Sequence, residues 1–212
     1  MNFFSYFFPK IIAKYPSEFN GEIKVMEFFD KKYLEVGNLE QSGPMMEKMF
    51  RKVFNKIFTQ QFIKDCRKVL LLGVGGGTLV KLLKKINPNL EITGIEIDQQ
   101  IVAAGVKHLG FKTRDIKIIY GDAFMKLPKI KEKYNLIIVD LFQGRVIPQA
   151  LHDEIFLKNL NNHLIKNGYV IFNRLYFQKY KIEAENFLDK VKKIFKDVTS
   201  IRAFYNIIIK AN

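Results

Sequence analysis

Apolar residues along the chain follow two spacings. Val69-Leu70-Leu71-Leu72 and Leu136-Ile137-Ile138-Val139 are unbroken apolar runs, the pattern of strands buried on both faces of a parallel sheet. Met45, Met46, Met49, Phe50, Val53, Phe54 and Ile57 recur at helical spacing, from Pro44 at a first-turn position to about Gln61. Beyond residue 72 the two patterns take turns. Strands are predicted over 91–95, 116–120, 135–139 and 169–173, and helices over 78–86, 99–109, 154–165 and 182–195. This is the βαβ alternation of a doubly wound α/β sheet. Segments 198–204 and 206–210 have only Tyr205 between them, too little for a crossover helix, so they are expected to pair antiparallel.

Ahead of the sheet, Ile23-Lys24-Val25-Met26-Glu27-Phe28 roughly alternates, Asp30-Lys31-Lys32 can turn, and Tyr33-Leu34-Glu35-Val36 continues before Gly37-Asn38. That reads as a β-hairpin. Residues 1–16 are aromatic and weakly periodic, suited to a short helix or the cover of an edge. Residues 1–61 are thus expected to form an N-terminal extension of hairpin and helix, and residues 62–212 a Rossmann-like ligand-binding domain. With 212 residues, 48% of them hydrophobic, a real core is expected. No apolar run approaches a membrane span, and the opening lacks the features of a signal peptide, so a cytoplasmic protein without membrane association is expected. The single Cys66 excludes an internal disulfide. His108, His152 and His163 show no ligand spacing, so no metal is expected.

The apolar run ending at Leu72 pours into Gly73-Val74-Gly75-Gly76-Gly77-Thr78-Leu79, a strand, tight turn and helix. Glycines there permit positive φ and close approach of a ligand to the main chain, while the helix aims its free N–H groups over the loop. A dinucleotide fingerprint would need glycine at Thr78, and a P-loop would need a Lys-Ser/Thr pair. Gly73-x-Gly75-x-Gly77 is instead the spacing of S-adenosylmethionine-dependent enzymes. Nineteen residues beyond Gly77, Glu96 stands where an acid accepts hydrogen bonds from ribose hydroxyls. The competing reading is a turn that only tightens strand–helix packing.

Ligands in such sheets sit outside the carboxyl ends of the strands. There Asp122, in Gly121-Asp122-Ala123, could accept an adenine amino proton or cap a helix. Asp140, ending a very apolar strand, would lie near the reactive end of the cofactor. Asn173 carries less information.

These residues resemble the polyamine aminopropyltransferases (spermidine synthases) and the wider spermidine synthase-like branch of the class I methyltransferase superfamily, from about Glu22 to the C-terminus. The N-terminal β element ending in Gln41-Ser42, the loop 73–77, Glu96 and the Gly-Asp-Ala turn at 121–123 carry the likeness. So do Asp140-Leu141-Phe142-Gln143-Gly144 with Ile147-Pro148, Phe156-Leu157 and residues 168–173. The resemblance implies a Rossmann-like methyltransferase sheet with an antiparallel last strand, preceded by a small hairpin and helix. It implies that Gln41, Gly73, Gly75, Gly77, Glu96, Asp122, Ala123 and Asp140 contact the cofactor, S-adenosylmethionine or its decarboxylated form, and that Asp140 accepts a proton. The chain departs from the family where polyamine ammonium groups are held. Residues 43–51 lack the family's acidic pocket, and Asp140-Leu141-Phe142-Gln143 replaces Asp-Ser-Ser-Asp, so the second carboxylate becomes an amide.

On those departures the sequence favours an S-adenosylmethionine-dependent methyltransferase over an aminopropyltransferase using decarboxylated cofactor, with a non-catalytic cofactor-binding or scaffold protein as the third reading. A small-molecule acceptor is the expected partner, and a homodimer is left open. The formal net charge of +14 would attract nucleic acid. Only six of the 35 basic residues are arginine, however, and the bias toward Lys, Ile, Asn and Phe suits codon drift, so nucleic acid is not favoured. Selection for nucleic acid would predict lysines, with Arg145 and Arg174, around the mouth beside Asp140.

Overall fold

The computed structural model describes residues 8–144 and 146–212. Four antiparallel strands come first and pair in sequence order: β1 (Lys10–Ser17), β2 (Gly21–Phe28), β3 (Lys31–Val36) and β4 (Leu39–Ser42). The expected hairpin is the central pair of this sheet. The sequence reading ends it at Gly37-Asn38, but both residues take positive φ, 56° and 61°, and turn the chain back so that Val36 pairs with Leu39. A Gly-Asn pair suits such a two-residue turn because neither residue strongly resists positive φ. Residues 10–17 form the edge strand rather than a helix, and residues 1–7 lie outside the described residues. Alternation buries Ile23, Val25, Leu34 and Val36 on one face.

Helix α1 (Pro44–Ile57) starts with Pro44 in its first turn, and Glu40 Oε1 accepts the free N–H groups of Met45 and Met46 at 2.8 and 3.0 Å. It stops short of the expected Gln61. Phe58 is extended, and Thr59 caps a separate short helix, α2 (Gln60–Asp65), accepting the Phe62 N–H at 3.1 Å.

There follow β5 (Lys68–Leu72), α3 (Thr78–Ile86), β6 (Glu91–Glu96), α4 (Gln99–Leu109), β7 (Lys117–Tyr120), α5 (Ala123–Lys126), β8 (Tyr134–Val139), α6 (Glu154–Asn162), β9 (Leu164–Leu175), α7 (Tyr180–Ile194), β10 (Thr199–Ala203) and β11 (Asn206–Ala211). The seven strands form one sheet in the order β10-β11-β9-β8-β5-β6-β7. Strands β5 to β9 run parallel, while β11 is antiparallel to β9 and β10 to β11, as the spacing around Tyr205 requires. Strand β9 begins five residues before the expected segment, because Leu164 pairs with Tyr134 across an irregularity before the regular ladder resumes at Leu136 and Tyr169. This is the doubly wound, Rossmann-like sheet expected from the alternation.

Both faces of the central strands are covered. Val69 and Leu71 of β5 with Leu136 and Ile138 of β8 pack toward α1, α3, α4 and the N-terminal sheet. Leu70, Leu72, Ile137 and Val139 pack toward α5, α6 and α7. Each such side chain contributes about 1.5–3 kcal/mol by leaving water. Among the described residues no helix is long and apolar enough to cross a membrane.

Candidate functional site

The carboxyl ends of β5, β6, β7 and β8, roofed by the end of β4 and the loop after β8, enclose a cavity of about 290 Å³. Every expected contact residue except Gly77 lines it: Gln41, Gly73, Gly75, Glu96, Asp122, Ala123 and Asp140. Gly77 instead forms the N-terminal boundary of α3, in a left-handed conformation with φ 81°.

The loop after β5 has little freedom. Gly73 has φ 89°, and a Cβ on it would come within 2.3 Å of the Asp140 carbonyl oxygen. No other residue fits there, because positive φ and the missing side chain are both required. Gly75 has φ 55° and would bring a Cβ to 3.0 Å from Ser42 Oγ. The Gly76 N–H donates to that hydroxyl at 2.8 Å, tying the N-terminal sheet to the loop.

Glu96 is the loop's internal clamp. Its Oε2 accepts the N–H groups of Val74 at 2.8 Å and Gly75 at 2.9 Å, and its Oε1 accepts that of Asp98 at 2.9 Å. With about four lone-pair sites on a carboxylate, roughly one is left for a ribose hydroxyl. Asp122 caps α5, with Oδ1 accepting the Phe124 N–H at 2.7 Å, and also lines the cavity, so the capping role is the one the fold displays. Gln41 donates from Nε2 to the Gly144 carbonyl at 3.0 Å, which pins the loop over the cavity.

Asp140 is half-buried at the cavity wall, with protein packed around its carboxyl. Burial pushes its pKa from 3.8 up to about 6, Glu96 pushes the same way, and the Asn173 hydrogen bond opposes them. Asn173 Nδ2 donates to Asp140 Oδ1 at 2.8 Å. An acid that titrates near neutrality beside a ligand cavity can accept a proton at physiological pH.

Two contributors escaped the sequence reading. Asn20, in the β1–β2 turn, lines the cavity and donates from Nδ2 to Asp98 Oδ2 at 2.6 Å. Asp98 is buried, caps α4 through the Gln100 N–H, and receives the Ser17 hydroxyl at 2.5 Å. A polar turn residue far away in sequence leaves no periodic signal. Ser-x-x-Asn and Glu-x-Asp are visible as short motifs, but nothing in them says that they meet.

Among the described residues, the basic groups predicted for nucleic-acid binding do not line the cavity. Among the described residues the cavity wall carries Glu96, Asp122 and Asp140 and no Lys or Arg, although Lys126 lays its stem against Gly121. Arg174 is buried on the opposite face of β9. It stacks on Phe187 at 4.4 Å and donates to Glu183 Oε1 at 3.0 Å, and burial pushes its pKa down to about 10. Arg145 lies outside the described residues. No cluster of His, Cys, Asp or Glu suited to a metal ion occurs among the described residues.

The spermine/spermidine synthase domain matches residues 57–209. The chain belongs to that family. It is similar to a probable polyamine aminopropyl transferase of Bifidobacterium longum, 31% identical over 109 residues that make up 51% of this chain and 24% of the relative. It is also similar to a polyamine aminopropyltransferase of Vibrio vulnificus, 25% identical over 157 residues, 72% of this chain and 52% of the relative. The chain thus spans about half or less of the length of these relatives. A probable spermidine synthase from Corynebacterium glutamicum shares the fold, with a TM-score of 0.78 at 18% identity over 96% of this chain and 80% of that one. Spermidine synthase family membership therefore rests on the sequence match, and the structural likeness supports the sheet topology.

Proposed function

We propose that the chain is a transferase that moves the aminopropyl group of decarboxylated S-adenosylmethionine onto an amine. The observation that carries this reading is the sign of the cavity: three carboxylates and no Lys or Arg line it among the described residues, on a chain of net charge +14. Local charge outweighs distant charge here, because surface lysines are screened over about 8–10 Å whereas groups on the cavity wall are not. The sequence-based preference for methyl transfer rested on the missing acidic pocket at residues 43–51 and on Gln143 in place of a second carboxylate. The three carboxylates gathered at the cavity weigh against it, since they favour a cofactor bearing a sulfonium and an ammonium without a carboxylate. The family match and the aminopropyltransferase names of the relatives lean the same way.

The residues present fit such a cofactor. The main chain of the loop 73–75 lets a ligand approach closely, Glu96 keeps acceptor capacity, Asp122 and Ala123 form the wall at α5, and Leu79 and Ile101 supply apolar surface. When bound, the cofactor supplies an electrophilic carbon next to a sulfonium. The chain's part is to align an amine with that carbon and to take its proton on Asp140. Methyl transfer is the second reading, favoured by one observation: Leu141, Phe142 and Gln143 provide no second carboxylate for a polyamine.

Titration calorimetry with both cofactors tests the proposal. Decarboxylated S-adenosylmethionine is expected to bind at least about tenfold more tightly than the carboxylated form, a preference of about 1.4 kcal/mol. Tighter binding of the carboxylated form would overturn the aminopropyl reading in favour of methyl transfer.

A further inference from the structure

From the carboxyl end of β8 across β9 to the start of β11, three side chains form a line. Asn206 Nδ2 donates to Asn173 Oδ1 at 2.7 Å, and Asn173 Nδ2 donates to Asp140 Oδ1 at 2.8 Å. Asn173 is 3% exposed. A buried carboxamide can present either its oxygen or its NH2 group to a neighbour, and the choice is set by what its other end meets. Here Asn206 Nδ2 meets Asn173 Oδ1, and an ionised Asp140 can only accept, so the Asn173 NH2 group faces Asp140.

We propose that Asn173 and Asn206 are positioning residues for proton acceptance by Asp140: the pair presents a donor to Asp140 Oδ1, reserving Oδ2 as the oxygen that takes the proton. This rests on the reading of Asp140 as proton acceptor. A donor on Oδ1 favours the ionised carboxylate, which burial and Glu96 disfavour, and the balance leaves Asp140 titrating near neutrality. Asn206, two residues removed from the reaction, thereby acts on the acid through Asn173. The other titratable groups on the cavity wall are Glu96, at the end of β6, and Asp122, at the start of α5. Arg174, next on β9, turns to the opposite face toward Glu183 and His152. Asn206 and Asn173 bring no charge of their own.

The test is a carboxyl titration of the ligand-free protein by carbon NMR with labelled aspartate, the Asp140 signal assigned by its loss in Asp140→Asn. In Asn206→Asp the new carboxylate accepts from the Asn173 NH2 group and turns Asn173 Oδ1 toward Asp140. The Asp140 titration is expected to rise by about one unit or more. Asn173→Leu removes the donor without adding charge and is expected to raise it as well. Asn206→Ser keeps a donor and is expected to leave it close to the wild-type position. Matching thermal melts identify the variants that remain folded. An Asp140 titration unmoved in both Asn206→Asp and Asn173→Leu overturns the inference. Where turnover is measurable, the acid limb of the rate profile must move with the titration, and a limb that stays fixed also overturns it. Absence of transfer from either cofactor in the wild-type protein would strike the transferase reading instead, and the titration would still decide the relay.

Discussion

Replacing Asp140 by Asn should make the protein more stable and less active. Folding lifts the carboxyl from 3.8 to about 6. At about 1.36 kcal/mol per unit, holding it ionised at pH 7.5 costs the fold up to about 3 kcal/mol. The amide of Asp140→Asn carries no charge to desolvate, and its oxygen can still accept the Asn173 donation, so about 1–3 kcal/mol should be recovered. For a chain of this length each kcal/mol moves the midpoint by about 2–4 °C, so a rise of roughly 2–12 °C is expected at pH 7.5. The pH dependence has a definite sign. The folded state binds this proton more tightly than the unfolded chain, so its favourable contribution is present below about 3.8 and is lost as pH rises through about 6. The gain from Asp140→Asn should therefore be full above pH 6 and fade toward pH 4. Urea unfolding of both proteins across that range measures it. Equal stability at pH 7.5, or an advantage that grows in acid, would refute the description of Asp140 as an acid whose charge the fold disfavours.

Three further substitutions test the architecture of the cavity. Glu96→Ala strands the N–H groups of Val74, Gly75 and Asp98, so it should lower stability by about 2–5 kcal/mol in urea unfolding and weaken cofactor binding in calorimetry; an effect on neither would dismiss the clamp. Gly73→Ala forces a Cβ against the Asp140 carbonyl at positive φ and should abolish cofactor binding, which calorimetry reads directly, and wild-type affinity would contradict the loop geometry. Ser42→Ala removes the acceptor of the Gly76 N–H and should cost about 1–3 kcal/mol in urea unfolding, with unchanged stability counting against the link between the N-terminal sheet and the glycine loop.

The larger sheet was legible because its central strands are apolar on both faces and its helices keep their period, so packing and pattern agree. The N-terminal sheet was half legible. Ile23, Val25, Leu34 and Val36 alternate clearly, but β1 is an edge strand with much of its surface in water, and nothing in its composition demands a partner. The break between α1 and α2 depends on Thr59 taking a cap, which the recurrence of Ile57 and Phe58 before it and Phe62 and Ile63 after it conceals. In the site, Glu96, Asp122 and Asp140 announce themselves by ending strands. The cap made by Asp122 could be read, but the clamp made by Glu96 could not, because its partners are main-chain N–H groups fixed by the turn geometry, and nor could the Asn173 contact of Asp140, because it crosses from a strand distant in sequence. The local charge of the cavity was hidden for a related reason. Net charge sums over the whole surface, whereas a ligand meets the three carboxylates that the topology gathers at one end of the sheet.

Incubating the protein with decarboxylated S-adenosylmethionine and a diamine such as putrescine, and identifying the products by mass spectrometry, tests the central claim most directly. The account predicts an aminopropylated amine together with an equal amount of the thioether methylthioadenosine, with formation slowed in Asp140→Asn and in wild-type protein below pH 6. No aminopropylated product, alongside methylated amine when the carboxylated cofactor is supplied, would contradict it.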